Sequence, residues 1–374
     1  MADTEIGRGR LAQTGYALAD IGIVPSRRTR DVDDVAMAWE IDAFRFELPL
    51  VAHPSDATMS PRSIIEIGRL GGLGVLNGEG LWTRYEDPQP VYDSLLAVKD
   101  GDNATTALQR AYAEPVKPEL ITRRLAEIGA AGVTTAVRLS PQHTLALAGA
   151  VLDAGVDLLV IQGTIVSAEH VSAATEPLNL KTFIADLDVP VIVGGCTNYQ
   201  TALHLMRTGA AGIIVGIGAD SRSATDEVLG IRVPMATAIA EAASARRDYL
   251  DETGGRYVHV VADGELSGSG SVAKALACGA DAVMLGEALS HGQECPGGGL
   301  WWESVAAHPS LPRGRLGRRP QRPESLANIL LGPDDRAQGT ENVFGAVRRA
   351  IAKCGYSDLK AFQKVELVRR QAAP

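Results

Sequence analysis

Short apolar runs alternate with amphipathic stretches along most of the chain. Apolar residues fill nearly every position of each run, which is typical of parallel strands whose two faces are both buried. The stretches between the runs repeat apolar residues at helical spacing. The pattern predicts strands at 48–52, 73–76, 134–139, 157–162, 189–194, 211–216, 257–262 and 281–285, with helices at 61–70, 119–131, 142–154, 176–187, 199–209, 234–253 and 271–279.

Eight strands joined by helices predict an α/β protein of the TIM (β/α)8 barrel class. Several turns from a helix into the next strand carry glycine, as at Gly132 and Gly155. Glycine is favoured there because the chain leaves a helix most easily in a left-handed conformation. An open, doubly wound parallel sheet is the alternative architecture for the same alternation.

The remaining segments predict additions to one barrel domain that spans residues 1–374. Residues 1–45 form a lead-in segment with short extended pieces. The polar, proline-containing segment 78–118 predicts a lid-like inserted loop with a helix near 89–98. Dense glycine and proline indicate a flap-like excursion at 287–340, and closing helices follow at 341–374.

Composition excludes several classes of function. The net charge of -9 argues against nucleic-acid binding. No apolar run is long enough to span a membrane, and the first residues lack the apolar core of a signal peptide. The four cysteines have no CxxC spacing and the histidines do not cluster, so no metal site is expected. These features predict a cytoplasmic protein with reduced thiols.

Catalytic residues of a TIM barrel lie at the carboxyl ends of the strands. Asp263 ends a predicted strand and is suited either to hold a sugar hydroxyl pair or to cap the next turn. Gly264 and Gly286 would leave backbone N–H groups open to a ligand. The 216–226 loop is rich in glycine and hydroxyl groups, which favours a role in binding or catalysis.

The motifs at these strand ends resemble the IMP dehydrogenase/GMP reductase family. The resemblance covers nearly the whole chain and is closest to the short actinobacterial paralogues that lack the CBS domain pair. It is carried by GIG at 216–218, VPMATA at 233–238, VADG at 261–264 with the preceding Val260, GADAVMLG at 279–286 and LGGLGVL at 70–76.

The resemblance implies a purine-type substrate, hydride transfer at a ring carbon and NAD or NADP as cofactor. It also implies a homotetramer and a monovalent cation at the 216–223 loop. The expected catalytic residues are Ser223, Thr225 and Glu303. The expected substrate-binding residues are Ser55, Ser221, Asp263, Gly264, Glu265, Gly286 and Glu287, and the expected cofactor-binding residues are Gln162, Gly163, Gly195, Gly216 and Gly218.

Three departures from the family pattern change the expected chemistry. Ser223 stands at the position of the catalytic cysteine, and a serine hydroxyl needs an adjacent base to become nucleophilic. Glu265 and Glu287 replace the glycine and serine that hold phosphate, and each carboxylate would repel a phosphate by about 1 to 4 kcal/mol. Gln162 and Gly163 stand where an aspartate is expected on the cofactor side.

Two main functions remain open from the sequence, beside an ordinary activity of the family with an unfamiliar binding pose. The first is a divergent oxidoreductase that works without covalent catalysis, in specialised nucleoside metabolism. The second is a degenerate paralogue that binds a ligand or partner and catalyses nothing. An enzyme should gather Thr225, Asp263, Glu265 and Glu287 around one ligand, whereas a degenerate protein should show them splayed or self-paired.

Four further features each have two interpretations. Ser223 is either catalytic or a spacer in a polar loop. Trp301 and Trp302 either stack on a purine or pack the flap on the barrel. The arginine-rich stretch 313–322 is either a solvated loop or a subunit contact, and Cys196 either reaches the pocket or is a buried thiol.

Overall fold

A computed structural model describes residues 3–98, 104–171, 177–217, 225–303, 316–318, 322–333 and 339–370. Nine parallel strand segments form one sheet, and their pairing order runs β7-β6-β14-β13-β12-β11-β10-β9-β8. The strands in chain order are β1 (Asp3–Gly7), β2 (Arg10–Gln13), β3 (Ile21–Ile23), β4 (Trp39–Ile41), β5 (Phe44–Phe46), β6 (Leu50–Ala52), β7 (Leu73–Gly74), β8 (Leu76–Asn77), β9 (Ala136–Leu139), β10 (Leu158–Gln162), β11 (Val191–Cys196), β12 (Gly212–Val215), β13 (His259–Ala262), β14 (Ala282–Leu285), β15 (Leu300–Trp301), β16 (Gly317–Arg318) and β17 (Leu367–Arg369).

The sheet closes into the predicted TIM barrel. Its second strand is divided at Val75 into β7, which pairs with β6, and β8, which pairs with β9. The two end segments of the sheet are therefore halves of one barrel strand, and the eight strands predicted from apolar runs are confirmed. Leu50, Val51 and Ala52 of β6 have no exposed surface, as expected for a strand buried on both faces.

Helices cover the outside of the barrel and end close to the predicted positions. The first begins as the sequence indicates, because Ser60 accepts a hydrogen bond from the N–H of Ser63 and Pro61 takes the first helical position. The helices are α1 (Pro61–Arg69), α2 (Gln89–Leu96), α3 (Ala104–Ala111), α4 (Pro118–Ala130), α5 (Thr144–Asp153), α6 (Leu180–Ala185), α7 (Tyr199–Met206), α8 (Thr225–Leu229), α9 (Met235–Thr253), α10 (Ser269–Ala277), α11 (Leu326–Leu331), α12 (Val343–Lys353) and α13 (Leu359–Phe362).

The lead-in segment closes the amino-terminal end of the barrel. The hairpin of β4 and β5 places Trp39 against His259 at the start of β13, with ring centroids 5.9 Å apart. The β3 strand pairs with β17. Closing helices were predicted throughout 341–374, but residues 367–369 form a strand instead. Helices α12 and α13 are confirmed.

The insertion after the second barrel strand folds over the opposite end. Helix α2 confirms the predicted helix near 89–98, but α3 falls in a region predicted to be irregular. Both helices contribute to a second hydrophobic core that is separate from the barrel core. Its most buried members are Ala57, Leu81, Tyr92, Leu95, Leu108, Leu300, Trp301 and Trp302.

Among the described residues, no helix is long and apolar enough to cross a membrane. Within the same residues, no group of three or more histidine, cysteine or acidic side chains is placed to hold a metal ion.

Candidate active site at the carboxyl end of the barrel

A glutamine–aspartate pair crosses the mouth of the barrel. Gln162 ends β10, and Asp263 follows β13. Nε2 of Gln162 donates a hydrogen bond to Oδ2 of Asp263 over 3.1 Å, and it also lies 3.5 Å from Sδ of Met284 on β14. Oε1 of Gln162 is buried and has no hydrogen-bond partner within the described part of the chain. The structure therefore brings together two of the predicted site residues and leaves an acceptor beside them.

Arg138 places a buried cation next to this pair. It points from β9 into the mouth and is 4% exposed. Its Nη2 donates to the carbonyl of Gln162 over 2.7 Å, and Nη1 lies 3.3 Å from Oε2 of Glu79. Glu79 also accepts a hydrogen bond from the hydroxyl of Ser140 over 2.9 Å and contacts Nδ1 of His143. These contacts form a continuous polar chain from an exposed imidazole to Asp263.

Glu79 remains ionised in spite of its burial. Burial alone would raise the pKa of this carboxyl group, but the hydrogen bond from His143, the charge of Arg138 and the N–H of Ser140 outweigh it and lower the pKa to about 2. A buried ion pair with satisfied oxygens is the arrangement in which such a charge persists.

Asp56 is a second buried carboxyl group at the mouth. It accepts hydrogen bonds from Nδ2 of Asn77 over 3.1 Å, from the N–H of Leu81 over 3.0 Å and from the hydroxyl of Tyr112. Burial raises its pKa to about 6, although these hydrogen bonds act in the opposite direction. Its partners all belong to the second strand and the insertion, so Asp56 ties the insertion to the barrel.

Ser55, a predicted substrate-binding residue, is enclosed in the protein. Its side chain has no exposed surface. Its hydroxyl donates to the carbonyl of Trp302 and accepts from the N–H of Ala57 over 3.1 Å. Trp302 in turn donates through Nε1 to the hydroxyl of Tyr112 over 2.9 Å. Trp302 is therefore held by Ser55 of the barrel and by Tyr112 of the insertion, contacts that agree with the predicted packing of the flap on the barrel and add the insertion to it.

Trp301 covers the end of the eighth barrel strand. An added Cβ on Gly286 would lie 2.2 Å from Cη2 of Trp301, so the indole ring rests directly on the glycine. The ring also meets His53 edge-on, with centroids 5.4 Å apart. Burial and the charge of Arg138 lower the pKa of His53 to about 3, so this imidazole is neutral near pH 7.

Glu265, another predicted substrate-binding residue, is held by the backbone. It adopts a left-handed conformation with φ of 56°. Oε2 accepts from the N–H of Leu18 over 2.9 Å, and Oε1 accepts from the N–H of Met235 over 3.4 Å at the start of α9. Arg232 lies 3.7 Å from Oε1 and also pairs with Asp226. The carboxylate of Glu265 is therefore paired with groups of the protein itself, as expected for a degenerate paralogue.

Three of the predicted cofactor-binding glycines, Gly163, Gly195 and Gly216, lie side by side at the ends of three strands. The N–H of Gly163 donates to Gly194 over 2.9 Å, and the N–H of Gly195 donates to Gly163 over 3.1 Å. The N–H of Gly216 donates to Cys196 over 2.9 Å. These amide N–H groups hold the strand ends together.

The other predicted residues lie on segments that follow the barrel strands or fall outside the described part of the chain. Thr225 is buried at the start of α8, and Glu303 is buried directly after Trp302. Gly264 follows Asp263, and Glu287 begins a short 3-10 turn after Gly286. Gly218, Ser221 and Ser223 lie outside the described residues.

Cys196 is a buried core thiol. It is 2% exposed, and its Sγ lies 3.5 Å from the carbonyl oxygen of Ile214. Burial raises its pKa to about 12, so the thiolate is scarce at neutral pH. The interpretation of Cys196 as a substitute nucleophile is therefore wrong for this structure, and the buried-thiol interpretation is confirmed.

The predicted site residues do not include Asp56, Glu79, Arg138 and His143, although the first three stand at the predicted strand ends. Arg138 carries a visible signal, because a charged residue interrupts the otherwise apolar run at 136–139. A cation at such a position has to be paired when it is buried, and the pairing partner stands at the neighbouring strand end. His143 gives no comparable signal, since it precedes an ordinary helix.

The fold and this mouth define a TIM-barrel protein whose polar groups gather at the carboxyl ends of the strands, and comparison identifies the class. Residues 15–308 match the IMP dehydrogenase / GMP reductase domain. The chain belongs to the IMP dehydrogenase/GMP reductase family, as its motifs predicted.

Several relatives cover nearly the whole chain. An uncharacterized oxidoreductase of Mycobacterium leprae (strain TN) is 58% identical, over 97% of this chain and 99% of its own length. The inosine-5'-monophosphate dehydrogenase of Aquifex aeolicus (strain VF5) is 26% identical, over 98% of this chain and 78% of its own length. The crystal structure of an IMP dehydrogenase/GMP reductase-like protein from Corynebacterium glutamicum has a TM-score of 0.94 and 52% identity, and it covers 98% of both chains.

Proposed function

We propose that the protein is an oxidoreductase that transfers a hydride between NAD or NADP and a ring carbon of a purine nucleotide, nucleoside or analogue, without a covalent cysteine intermediate. The observation that carries this proposal is the Gln162–Asp263 pair, which spans the mouth with 3.1 Å between Nε2 and Oδ2. Family membership supports the hydride chemistry, and the oxidoreductase names of the relatives agree with it.

Asp263 and Gln162 bind different groups of the ligands in this proposal. Asp263 is half-buried at the strand end, where a carboxylate is suited to accept hydrogen bonds from a ribose. Gln162 presents a buried Oε1 that has no partner in the described residues, and an orphaned acceptor of this kind fits a donor such as a carboxamide or hydroxyl of the cofactor. The nicotinamide ring would supply or accept the hydride when bound.

The proton that accompanies the hydride needs a separate carrier. A hydride added to a ring carbon is balanced by a proton at the adjacent ring nitrogen. Thr225 is buried at the end of the 216–226 loop, and Glu303 is buried directly after Trp302; we assign this proton transfer to them. Ser223 would position the ring or a water molecule rather than attack the ring, since serine requires a base to act as nucleophile.

A homotetramer, a monovalent cation at the 216–223 loop, a cytoplasmic location and a place in specialised nucleoside metabolism belong to the same proposal. Light scattering would test the assembly, and replacement of potassium by lithium would test the cation. A potassium-dependent rate supports the cation, and an unchanged rate removes it.

The second candidate function is a degenerate paralogue that binds a ligand or partner without turnover. Glu265 favours it, because both carboxylate oxygens are engaged by backbone N–H groups of Leu18 and Met235. Ser55 favours it as well, because its hydroxyl is enclosed by Trp302. Turnover distinguishes the two functions. An enzyme should lose turnover when Asp263 or Gln162 is replaced, whereas a degenerate paralogue has no turnover to lose.

The test combines binding with turnover. The purified protein is screened by thermal shift against IMP, GMP, inosine, guanosine and the nicotinamide cofactors, because a ligand that binds only the folded state raises the melting temperature. Nicotinamide absorbance is then followed with every pair that binds. Asp263→Asn should abolish turnover, while the exposed control Asp188→Asn should not. Binding without any change of absorbance supports the degenerate paralogue instead.

A further inference from the structure

Phosphate groups in TIM barrels commonly bind between the loops after the seventh and eighth strands. The binding groups there are backbone N–H groups and a helix terminus, and glycine allows the backbone to come close. In this chain the two loops begin at Asp263 and Gly286. A phosphate at this place would need open donors on one loop and an uncovered glycine on the other.

In the loop after the seventh strand, the carboxylate of Glu265 occupies two nearby backbone donors. It accepts a hydrogen bond from the N–H of Leu18 over 2.9 Å and one from the N–H of Met235 over 3.4 Å. Met235 is the first residue of the 19-residue helix α9. The carboxylate thus supplies the negative charge that the amino-terminal end of a helix favours. A substrate phosphate would have to displace a carboxylate that the protein itself provides.

The eighth-strand loop is covered by an aromatic ring. Trp301 lies so close to Gly286 that an added Cβ would be 2.2 Å from Cη2. The indole is 1% exposed and is fixed by the β15–β16 pairing and by His53. A phosphate oxygen approaching the glycine from this side would meet the ring before it reached the backbone.

The charges at the two strand ends also disfavour a phosphate group. Asp263, Glu265 and Glu287 supply three carboxylates. Arg232 is the guanidinium paired with Glu265, at 3.7 Å, and it is shared with Asp226 at 3.2 Å. A dianionic ester would therefore enter a region in which this cation is already engaged by two carboxylates.

We infer that the substrate is a purine nucleoside or base that carries no phosphate ester, and that Glu265 and Trp301 select it. The inference rests on the proposed function for the purine part of the ligand. The exclusion of phosphate rests on the contacts of Glu265 and Trp301 and on the carboxylates at the two strand ends, and it does not depend on the purine part, so the two parts can fail separately.

Calorimetry with matched ligand pairs tests the selectivity. Inosine is compared with IMP and guanosine with GMP on the wild-type protein. Each nucleoside should bind at least about tenfold more tightly than its monophosphate, which corresponds to 1.4 kcal/mol. Equal or tighter binding of either monophosphate by the wild-type protein overturns the inference.

Variants with orthophosphate as probe test the exclusion without any purine. Glu265→Gly removes the carboxylate and suits the left-handed conformation at this position, and it is combined with Glu287→Ser. The double variant should gain thermal stabilisation by orthophosphate that the wild-type protein and the exposed control Glu119→Ser lack. Trp301→Phe, which keeps an aromatic core residue, should add to the gain.

The outcomes separate the two proposals. Orthophosphate stabilisation of the wild-type protein equal to that of the double variant overturns the inference. Binding of orthophosphate by the double variant only, with no purine binding by any protein, supports the exclusion of phosphate and contradicts the purine function. Nucleoside binding by the wild-type protein, together with a gain of IMP binding in the double variant, supports both.

Discussion

The exposed imidazole of His143 is hydrogen-bonded through Nδ1 to Oε1 of the buried Glu79 carboxylate. The side chain of His143 is 61% exposed and that of Glu79 is 10% exposed, so the contact joins solvent to the polar chain that ends at Asp263. The hydrogen bond to Glu79 is the largest cause of a raised pKa at His143.

Glu79→Gln should lower the pKa of His143, because a neutral amide no longer favours the protonated ring. An NMR titration of the histidine resonances measures this, with the exposed Glu127→Gln as control. Since the folded-state pKa of His143 is raised, its stabilisation is full below about pH 6.5 and is lost as the pH rises through the folded value. An unchanged titration of His143 in the Glu79→Gln variant would contradict the assigned contact.

Asp281 should be the carboxylate whose loss weakens the fold most clearly. It is 3% exposed and lies 2.6 Å from Nη1 of Arg246. Asp281→Asn should cost about 3–5 kcal/mol in the free energy of unfolding, because the buried guanidinium loses its partner. Asp188→Asn, at an exposed position, should stay within about 0.5 kcal/mol of the wild type. Urea unfolding measures both values.

The pH dependence follows from the same contact. Burial opposes ionisation of Asp281, but Arg246 and Lys360 outweigh it and lower its pKa to about 2. Because the folded-state pKa is depressed, the stabilisation is present above about pH 3.9 and is lost as the pH falls toward 2. The Asp281→Asn variant should lack this acid-induced loss; an identical acid profile in both proteins would contradict the role of Asp281.

Gly216→Ala should prevent the strand ends from closing. An added Cβ would lie 1.7 Å from the carbonyl oxygen of Asp263, and the residue has φ of 132°. Gly149 is the matched control, since it lies in helix α5 and an added Cβ there meets nothing within 4 Å. Gly149→Ala should stabilise the protein by about 0.5–1 kcal/mol, because alanine is the better helix residue. Thermal unfolding that is unaffected by Gly216→Ala would refute the close packing.

Cys196 should be unreactive in the folded protein. Its thiol is buried and its pKa is raised to about 12 by that burial. A thiol reagent at mildly alkaline pH should label Cys196 only after denaturant is added, as mass spectrometry of the peptides would show. Cys196→Ala should keep any purine binding that the wild type has. Rapid labelling of the native protein would restore Cys196 as a candidate nucleophile.

The barrel was predictable because its strands are buried on both faces. Each run such as 158–162 is apolar at nearly every position, and this pattern separates the strands from the amphipathic helices between them. The division of the second strand at Val75 was not predictable, since the whole run 73–76 is apolar and buried. Helix α3 was missed because Leu108 is its one large apolar residue.

A site residue was predictable from the sequence only where its place at the end of a strand is enough to bring its side chain into the site. Asp263 and Gln162 follow from their places at strand ends, and the structure brings their side chains into contact. Glu265 follows the same rule in sequence, yet its carboxylate turns to Leu18 and Met235, which are distant along the chain. Contacts of that range depend on the tertiary fold, and so does the position of Trp301 on Gly286.

The tryptophan at 302 makes two separate parts of the chain one cooperative unit. Its carbonyl accepts from Ser55 on the barrel, and its indole donates to Tyr112 beyond α3. If the insertion opens, the apolar side chains at 300–302 of the flap lose their cover, and the reverse also holds. The insertion and residues 300–302 should therefore open together. Amide hydrogen exchange should therefore report one common opening rate for Tyr92, Leu108 and Trp302, slower than that of the exposed hairpin at the amino terminus.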